Sequence, residues 1–99
     1  MVSMAVPELL RIKREEILRA ATSHGARRIR IFGSVARGDS DEKSDIDFLV
    51  EMEPGRSLFD LGGLQVDLEA ILSRRVDVVT ERGLKARIRE RVLQEAVPL

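Results

Sequence analysis

An α/β sandwich, a small mixed sheet of about three strands covered by helices, is the fold class this sequence predicts. Three observations lead there. Apolar residues recur at three- and four-residue steps in three segments, short β-branched runs separate them, and 99 residues leave room for one core. The predicted order is helix, strand, strand, helix, strand, helix, with no internal repeat and no low-complexity linker, a pattern that packs helices on a sheet. At this length one domain, residues 1–99, buries roughly 60–70% of the surface its unfolded chain exposes.

The first helix is predicted from Glu8 to Ser23, with Leu10, Ile17 and Ala21 on one face and Arg11, Arg14 and Glu15 toward water. His24-Gly25 supplies its stop. Arg27 to Phe32 ends in a β-branched and aromatic run and reads as a strand entering the sheet near Ile29, which Gly33 breaks. A short helical turn around Val35 to Arg37 and the polar loop Gly38 to Ser44 follow, then a second strand, Asp45 to Val50. After the Pro54-Gly55 turn, Leu58, Leu61, Leu64, Leu68, Ile71 and Leu72 form one buried helical stripe. Gly62-Gly63 is out of character in it, since each glycine costs a helix about 1 kcal/mol relative to alanine. Either the helix starts after the pair or another backbone packs closely there. Arg75 to Val79 is a third strand, and Leu84, Ile88, Val92 and Ala96 step by four through a last helix ending near Pro98.

Composition narrows the function. Lys plus Arg number 17 and Asp plus Glu 17, giving no net charge, so binding of nucleic acid through phosphate contacts is not expected. There is no Trp or Tyr and only three Phe, which leaves few platforms for stacking single-stranded bases. The absence of cysteine excludes disulfides and thiolate metal sites. No segment is apolar enough to span a bilayer, and the opening Met1 to Pro7 lacks the basic start and long apolar core of a secretory signal, so a cytoplasmic location is expected.

The chemistry concentrates between Phe32 and Val50. Asp45 and Asp47 are two apart on a predicted strand, so both carboxylates leave the same face. Two adjacent ionised carboxylates need a cation, and an oxygen-only donor set points to a hard ion such as Mg²⁺. Asp77 on the third strand completes a triad if that strand lies beside the second, and three carboxylates on neighbouring strands suit a two-metal phosphoryl site. Counting an EF-hand from Asp39 fails, because Ser44 falls at the glycine position and Val50 where a bidentate Glu belongs. Gly33-Ser34 sits where a strand ends and a helical turn begins, an arrangement that turns backbone N–H groups and a hydroxyl toward phosphate oxygens. Arg37, one turn on, either approaches the same anion or pairs with an acidic residue of the Asp39 to Glu42 loop.

Gly33-Ser34, ten residues, then Asp45-Ile46-Asp47, joined by a downstream strand aspartate, resembles the signature of the polymerase-β-like nucleotidyltransferase superfamily. The length and the stretches Asp60-Leu-Gly-Gly-Leu64 and Arg75-Val-Asp-Val-Val-Thr80 resemble the minimal nucleotidyltransferases, antitoxins paired with HEPN-domain RNase toxins. The resemblance implies a nucleotidyltransferase fold and a protein adenylyltransferase that moves AMP from ATP to a hydroxyl, a tyrosine, of the toxin. It implies that Gly33 and Ser34, with Arg37 as a further candidate, hold the triphosphate. Asp45, Asp47 and Asp77 then bind two Mg²⁺ ions, with Asp77 nearest the attacking hydroxyl and helping to remove its proton. Larger relatives hold a template, a tRNA or an antibiotic with additional domains, so here the acceptor is expected to be delivered by a partner, in a homo- or hetero-oligomer. A binding antitoxin that blocks the RNase without catalysis is the alternative, and a small-molecule nucleotidyltransferase ranks behind both.

Other residues carry blander expectations. His24 reads as a helix-end or exposed histidine with no catalytic role. The basic run Arg82, Lys85, Arg87, Arg89 and Arg91 reads as a solvated face, with Arg82 or Lys85 reaching the triphosphate as the sharper option. Gly62-Gly63 with Leu58, Phe59 and Leu61 reads as tight packing or as a surface for a partner or the base. The tail Ala96 to Leu99 either packs on a partner or closes the protein's own core.

Overall fold

The computed structural model describes residues 5–41 and 43–99. Met1 to Met4, on which part of the reading of the opening segment rests, and Glu42 of the acidic loop lie outside the described residues. Helix α1 (Val6–Ser23) begins two residues before the expected start because Pro7, with its fixed φ, sits in its first turn. It buries Val6, Leu10, Ile17, Ala20 and Ala21. It closes where the His24 N–H donates to the carbonyls of Ala20 and Ala21 and Gly25 turns the chain at φ +81°. Strand β1 (Ala26–Phe32) joins the sheet earlier than Ile29, with an irregularity between Ala26 and Arg28. The short helix α2 (Gly33–Arg37) follows directly, and strand β2 (Ile46–Met52) comes after the acidic loop.

Helix α3 (Leu58–Leu72) starts on a reciprocal cap, in which Ser57 Oγ accepts from the Phe59 N–H and Asp60 Oδ2 accepts from the Ser57 N–H. It runs through Gly62-Gly63, so it does not start after the pair. The close neighbour at Gly63 is not another backbone but the His24 ring, which a Cβ there would meet at 2.8 Å. His24 Nε2 is hydrogen-bonded to Asp67 Oδ2 at 2.7 Å, so the histidine fastens the end of α1 to α3. Leu64, Leu68 and Leu72 are buried as the periodicity requires, but Leu58 is 83% exposed, because the helix begins at Leu58, ahead of the part that covers the core.

Strand β3 (Val76–Thr80) leads through a single 3₁₀ turn (Glu81–Gly83) to helix α4 (Ala86–Glu95). Leu84 is buried but lies in extended backbone ahead of α4, and Ala96 is extended just past its end, so the step-of-four pattern overruns the helix at both ends. The expected three strands are four: Val97–Pro98 forms an edge strand β4 on β1, and Arg14 Nε donates to the Leu99 carbonyl at 3.2 Å. The apolar tail therefore closes the protein's own sheet.

The sheet order is β3-β2-β1-β4, with β1 antiparallel to β2 and to β4, and β2 parallel to β3 through the α3 crossover. Ile29 and Ile31, Ile46, Phe48 and Val50, and Val76 and Val78 face the main core beneath α1 and α3. Period-two alternation sends Phe32, Asp47, Leu49, Asp77 and Val79 to the other face, where Leu49 packs with Leu84 and Val92 beside α4. No helix among the described residues is long and apolar enough to cross a membrane.

Candidate active site

Register brings the expected residues together. Phe32 is opposite Asp47 across the antiparallel pair, and Asp47 is opposite Asp77 across the parallel pair. The end of β1 and the starts of β2 and β3 therefore share one edge of the sheet, with neighbouring strands about 4.8 Å apart. Gly33-Ser34 follows Phe32 immediately, so it stands at that same edge. The Ile46 N–H donates to the Arg75 carbonyl at 3.1 Å, which ties the entry of β2 to that of β3. Asp45 lies one residue ahead of β2 and is exposed, with Arg75 Nε 3.7 Å from its carboxylate.

Gly33 is fixed by two demands at once. Its φ of +75° is one that L side chains rarely adopt, and a Cβ on it would overlap Asp47 Oδ2. The carboxylate and the loop backbone are packed against each other with no room for a side chain. The loop before Asp45 is also held: Asp41 Oδ1 accepts from the Lys43 N–H at 2.8 Å and from Ser44 Oγ at 3.1 Å. Arg74 Nη2 donates to the carbonyls of Asp41 and Ser44 at 3.0 and 2.7 Å. These contacts lower the Asp41 carboxyl below its ordinary range, led by the Lys43 N–H.

The carboxylates crowd one another electrostatically. Partial burial, joined by the like charges of Asp77 and Asp45 and also of Glu95, pushes the Asp47 carboxyl up to about 6, with Arg37 opposing. Among the described residues no three His, Asp or Glu side chains enclose a metal ion by themselves. A hard cation that keeps waters and substrate oxygens needs only one or two protein carboxylates, and the all-oxygen set, in which like charges still raise Asp47, suits it. The donor set therefore fits Mg²⁺.

Arg37 resolves its two readings in an unforeseen way. Its Nε lies 3.3 Å from Asp39 Oδ2, as the loop pairing anticipated, and its Nη1 donates to Glu95 Oε1 at 3.0 Å. The other oxygen of Glu95 accepts from the Gly33 N–H at 3.3 Å. One carboxylate from the end of α4, its side chain only 19% exposed, thus engages both an N–H and a guanidinium expected to face phosphate. Arg37 and the Gly33 N–H hold the Glu95 carboxyl below its ordinary range. Sequence spacing gave no sign of Glu95, which lies 62 residues from Gly33. Arg82 sits past the far end of β3 and Arg89 Nε donates to the Glu81 carbonyl at 3.1 Å, so neither stands at the carboxylate edge. Lys85 lies in extended backbone just ahead of α4, also beyond that end of β3.

Comparison with known proteins agrees with the fold. The family model described as a nucleotidyltransferase domain matches residues 12–99. A candidate protein adenylyltransferase of Methanocaldococcus jannaschii is 45% identical over 86 residues, 87% of this chain and 91% of that one. The protein adenylyltransferase MntA of Thermococcus cleftensis is 42% identical over 91 residues, 84% of this chain and 92% of that one. A solved structure of a candidate minimal nucleotidyltransferase superposes with a TM-score of 0.87 at 52% identity, covering 99% of this chain and all of that one. A crystal structure of a toxin–antitoxin with AMP-PNP shares the fold at a TM-score of 0.72 and 22% identity, over 85% of this chain and 69% of that one.

Proposed function

The chain belongs to the nucleotidyltransferase domain family, as a nucleotidyltransferase enzyme of its minimal branch, and from that premise we propose that it is an antitoxin that transfers AMP from ATP to a hydroxyl of a HEPN RNase toxin. A tyrosine is the proposed acceptor. The observation that carries the reading is the single line of Phe32, Asp47 and Asp77 across the sheet, with Gly33-Ser34 at its end. The relatives named protein adenylyltransferase and the toxin–antitoxin crystal with AMP-PNP support the substrate and the partner.

In the proposed mechanism the Gly33 N–H, the Ser34 hydroxyl and Arg37 hold the triphosphate. Glu95 leaves the Gly33 N–H and Arg37 as the triphosphate takes its place, one anion exchanged for another. Asp45, Asp47 and Asp77 would hold Mg²⁺, which would supply neutralisation of the charge that develops during transfer. Asp77, at the entry of β3, stands nearest the acceptor and takes part in removing its proton. The acceptor oxygen bonds to the α-phosphorus, the bond to the β-phosphate oxygen breaks, and pyrophosphate carries away the electron pair. Alignment of that oxygen with the leaving group is the main service of a rigid sheet edge. No covalent enzyme intermediate is required.

Purified chain mixed with labelled ATP, Mg²⁺ and the toxin is expected to label the toxin, and Asp45→Asn or Asp47→Asn to abolish labelling. Persistent labelling in those variants would sink the proposed site. A second reading, inhibition by complex formation alone, is favoured by Leu58 and Phe59 at the start of α3, 83% and 92% exposed. Inhibition of the RNase that survives loss of both aspartates would select it.

A further inference from the structure

A second concave feature lies at the opposite end of the strands from Asp47 and Asp77. It is a cavity of about 700 Å³ between the ends of β2 and β3, the start of β1 and the start of α4. Five arginines line it, against the carboxylates of Glu51, Glu53 and Glu81. Two of the five are matched: Arg27 by Glu51 at 2.7 Å and Arg56 by Glu53 at 3.3 Å. Arg89 donates to the carbonyls of Glu81 and Leu84, which hold its guanidinium in place without cancelling its charge.

Arg30 is the unusual member. It alternates with Ile29 and Ile31 on β1, whose side chains face the main core, so its own side chain goes to the α4 face. Its Nε is buried with no hydrogen-bond partner. An unmet buried donor is costly, more so on a charged group, and folds normally supply an acceptor. Arg30 also lines the cavity, whose formal charge, five arginines less three glutamates, is +2 in a chain of zero net charge.

We propose that this cavity receives an acidic side chain of the acceptor protein, its carboxylate held by Arg30 and Arg82. The inference rests on the reading that the acceptor is a protein. Thr80 on the cavity wall is three residues along β3 from Asp77, about 10 Å. An extended peptide of three to four residues covers that distance, so an acidic residue a few positions from the modified hydroxyl docks here while the hydroxyl reaches the carboxylate edge. A polynucleotide suits the cavity less well, because Glu51, Glu53 and Glu81 interrupt the positive surface that successive phosphates need. A single carboxylate needs only one guanidinium, and Arg30 and Arg82 both stand on the cavity wall.

The test compares Arg82→Gln, an exposed position that leaves the core intact, and Arg30→Gln with Arg19→Gln, an exposed charge on α1, as control. Toxin affinity is measured by calorimetry, which needs no transfer, alongside KM for toxin and for ATP. Both cavity variants are expected to weaken toxin binding roughly tenfold and to flatten its salt dependence, with KM for ATP and the Arg19→Gln control unchanged. Unchanged toxin affinity in both would show that the cavity holds only water and overturn the proposal. A raised KM for ATP would assign the arginines to the nucleotide, and lost affinity for a single-stranded RNA oligonucleotide would assign them to nucleic acid; either overturns it. A wild-type chain that binds the toxin but never labels it would refute the transferase reading while leaving the docking result to stand or fall by the variants.

Discussion

Asp47→Asn removes one charge from a cluster in which burial and the neighbouring Asp77 and Asp45 disfavour it, so the variant is expected to be more stable than the wild type at neutral pH. The carboxyl lies at about 6 in the fold against 3.8 for an unperturbed aspartate, a difference of about 2 units. At about 1.4 kcal/mol per unit this is an upper bound near 3 kcal/mol. Asp47 is only partly buried and solvent and salt screen its neighbours, so about 1–2 kcal/mol is the expected gain. The sign follows from linkage. A raised folded pKa means that the native state binds the proton more tightly than the unfolded chain, so the favourable contribution is complete below about pH 4 and lost as pH rises through about 6. Urea unfolding of both proteins without divalent ions, at pH 4 and at pH 7.5, isolates the effect. The variant is expected to match the wild type at pH 4 and exceed it at pH 7.5, and Mg²⁺ to close the gap by stabilising only the wild type. An equal difference at both pH values, or a variant less stable at pH 7.5, would refute the crowded-carboxylate account.

Gly33→Ala places a Cβ on Asp47 Oδ2 at a φ of +75°, so it is expected to lose at least about 1–2 kcal/mol of stability and nearly all transfer activity, read by melting and by labelling. Glu95→Ala frees the Gly33 N–H and Arg37, so KM for ATP is expected to fall several-fold; a rise would show that Glu95 positions Arg37 for the nucleotide instead. Gly63→Ala should gain about 1 kcal/mol from helix propensity alone, but its Cβ meets the His24 ring that Asp67 holds, so a net loss is expected. In a His24→Ala background the same change is expected to stabilise, which denaturation of the four proteins measures as a double-mutant cycle.

Much of the fold was legible because its signals are local. Alternation along Ile46 to Val50 and Val76 to Val79 and the four-step stripe of Leu64, Leu68 and Leu72 each report a buried face within a few residues. The candidate site was legible for a different reason: Gly33, Asp47 and Asp77 are fixed by strand ends, and strand ends carry turn and polarity signals. What escaped depends on contacts far apart in the chain. Glu95 reads as one more acidic residue on a charged helix until α4 lays it on Gly33. Gly63 reads as a helix fault until α1 brings His24 over it. The strand at Val97–Pro98 is too short for alternation to register, and its pairing is set by β1 alone.

The most direct test of the central claim is the intact mass of the toxin co-expressed with the wild-type chain and with the Asp45→Asn, Asp47→Asn double variant. The account predicts a gain of one or more AMP units with the wild type alone. A toxin of unchanged mass, recovered in a stable complex with the wild-type chain, would contradict it and leave an antitoxin that acts by binding.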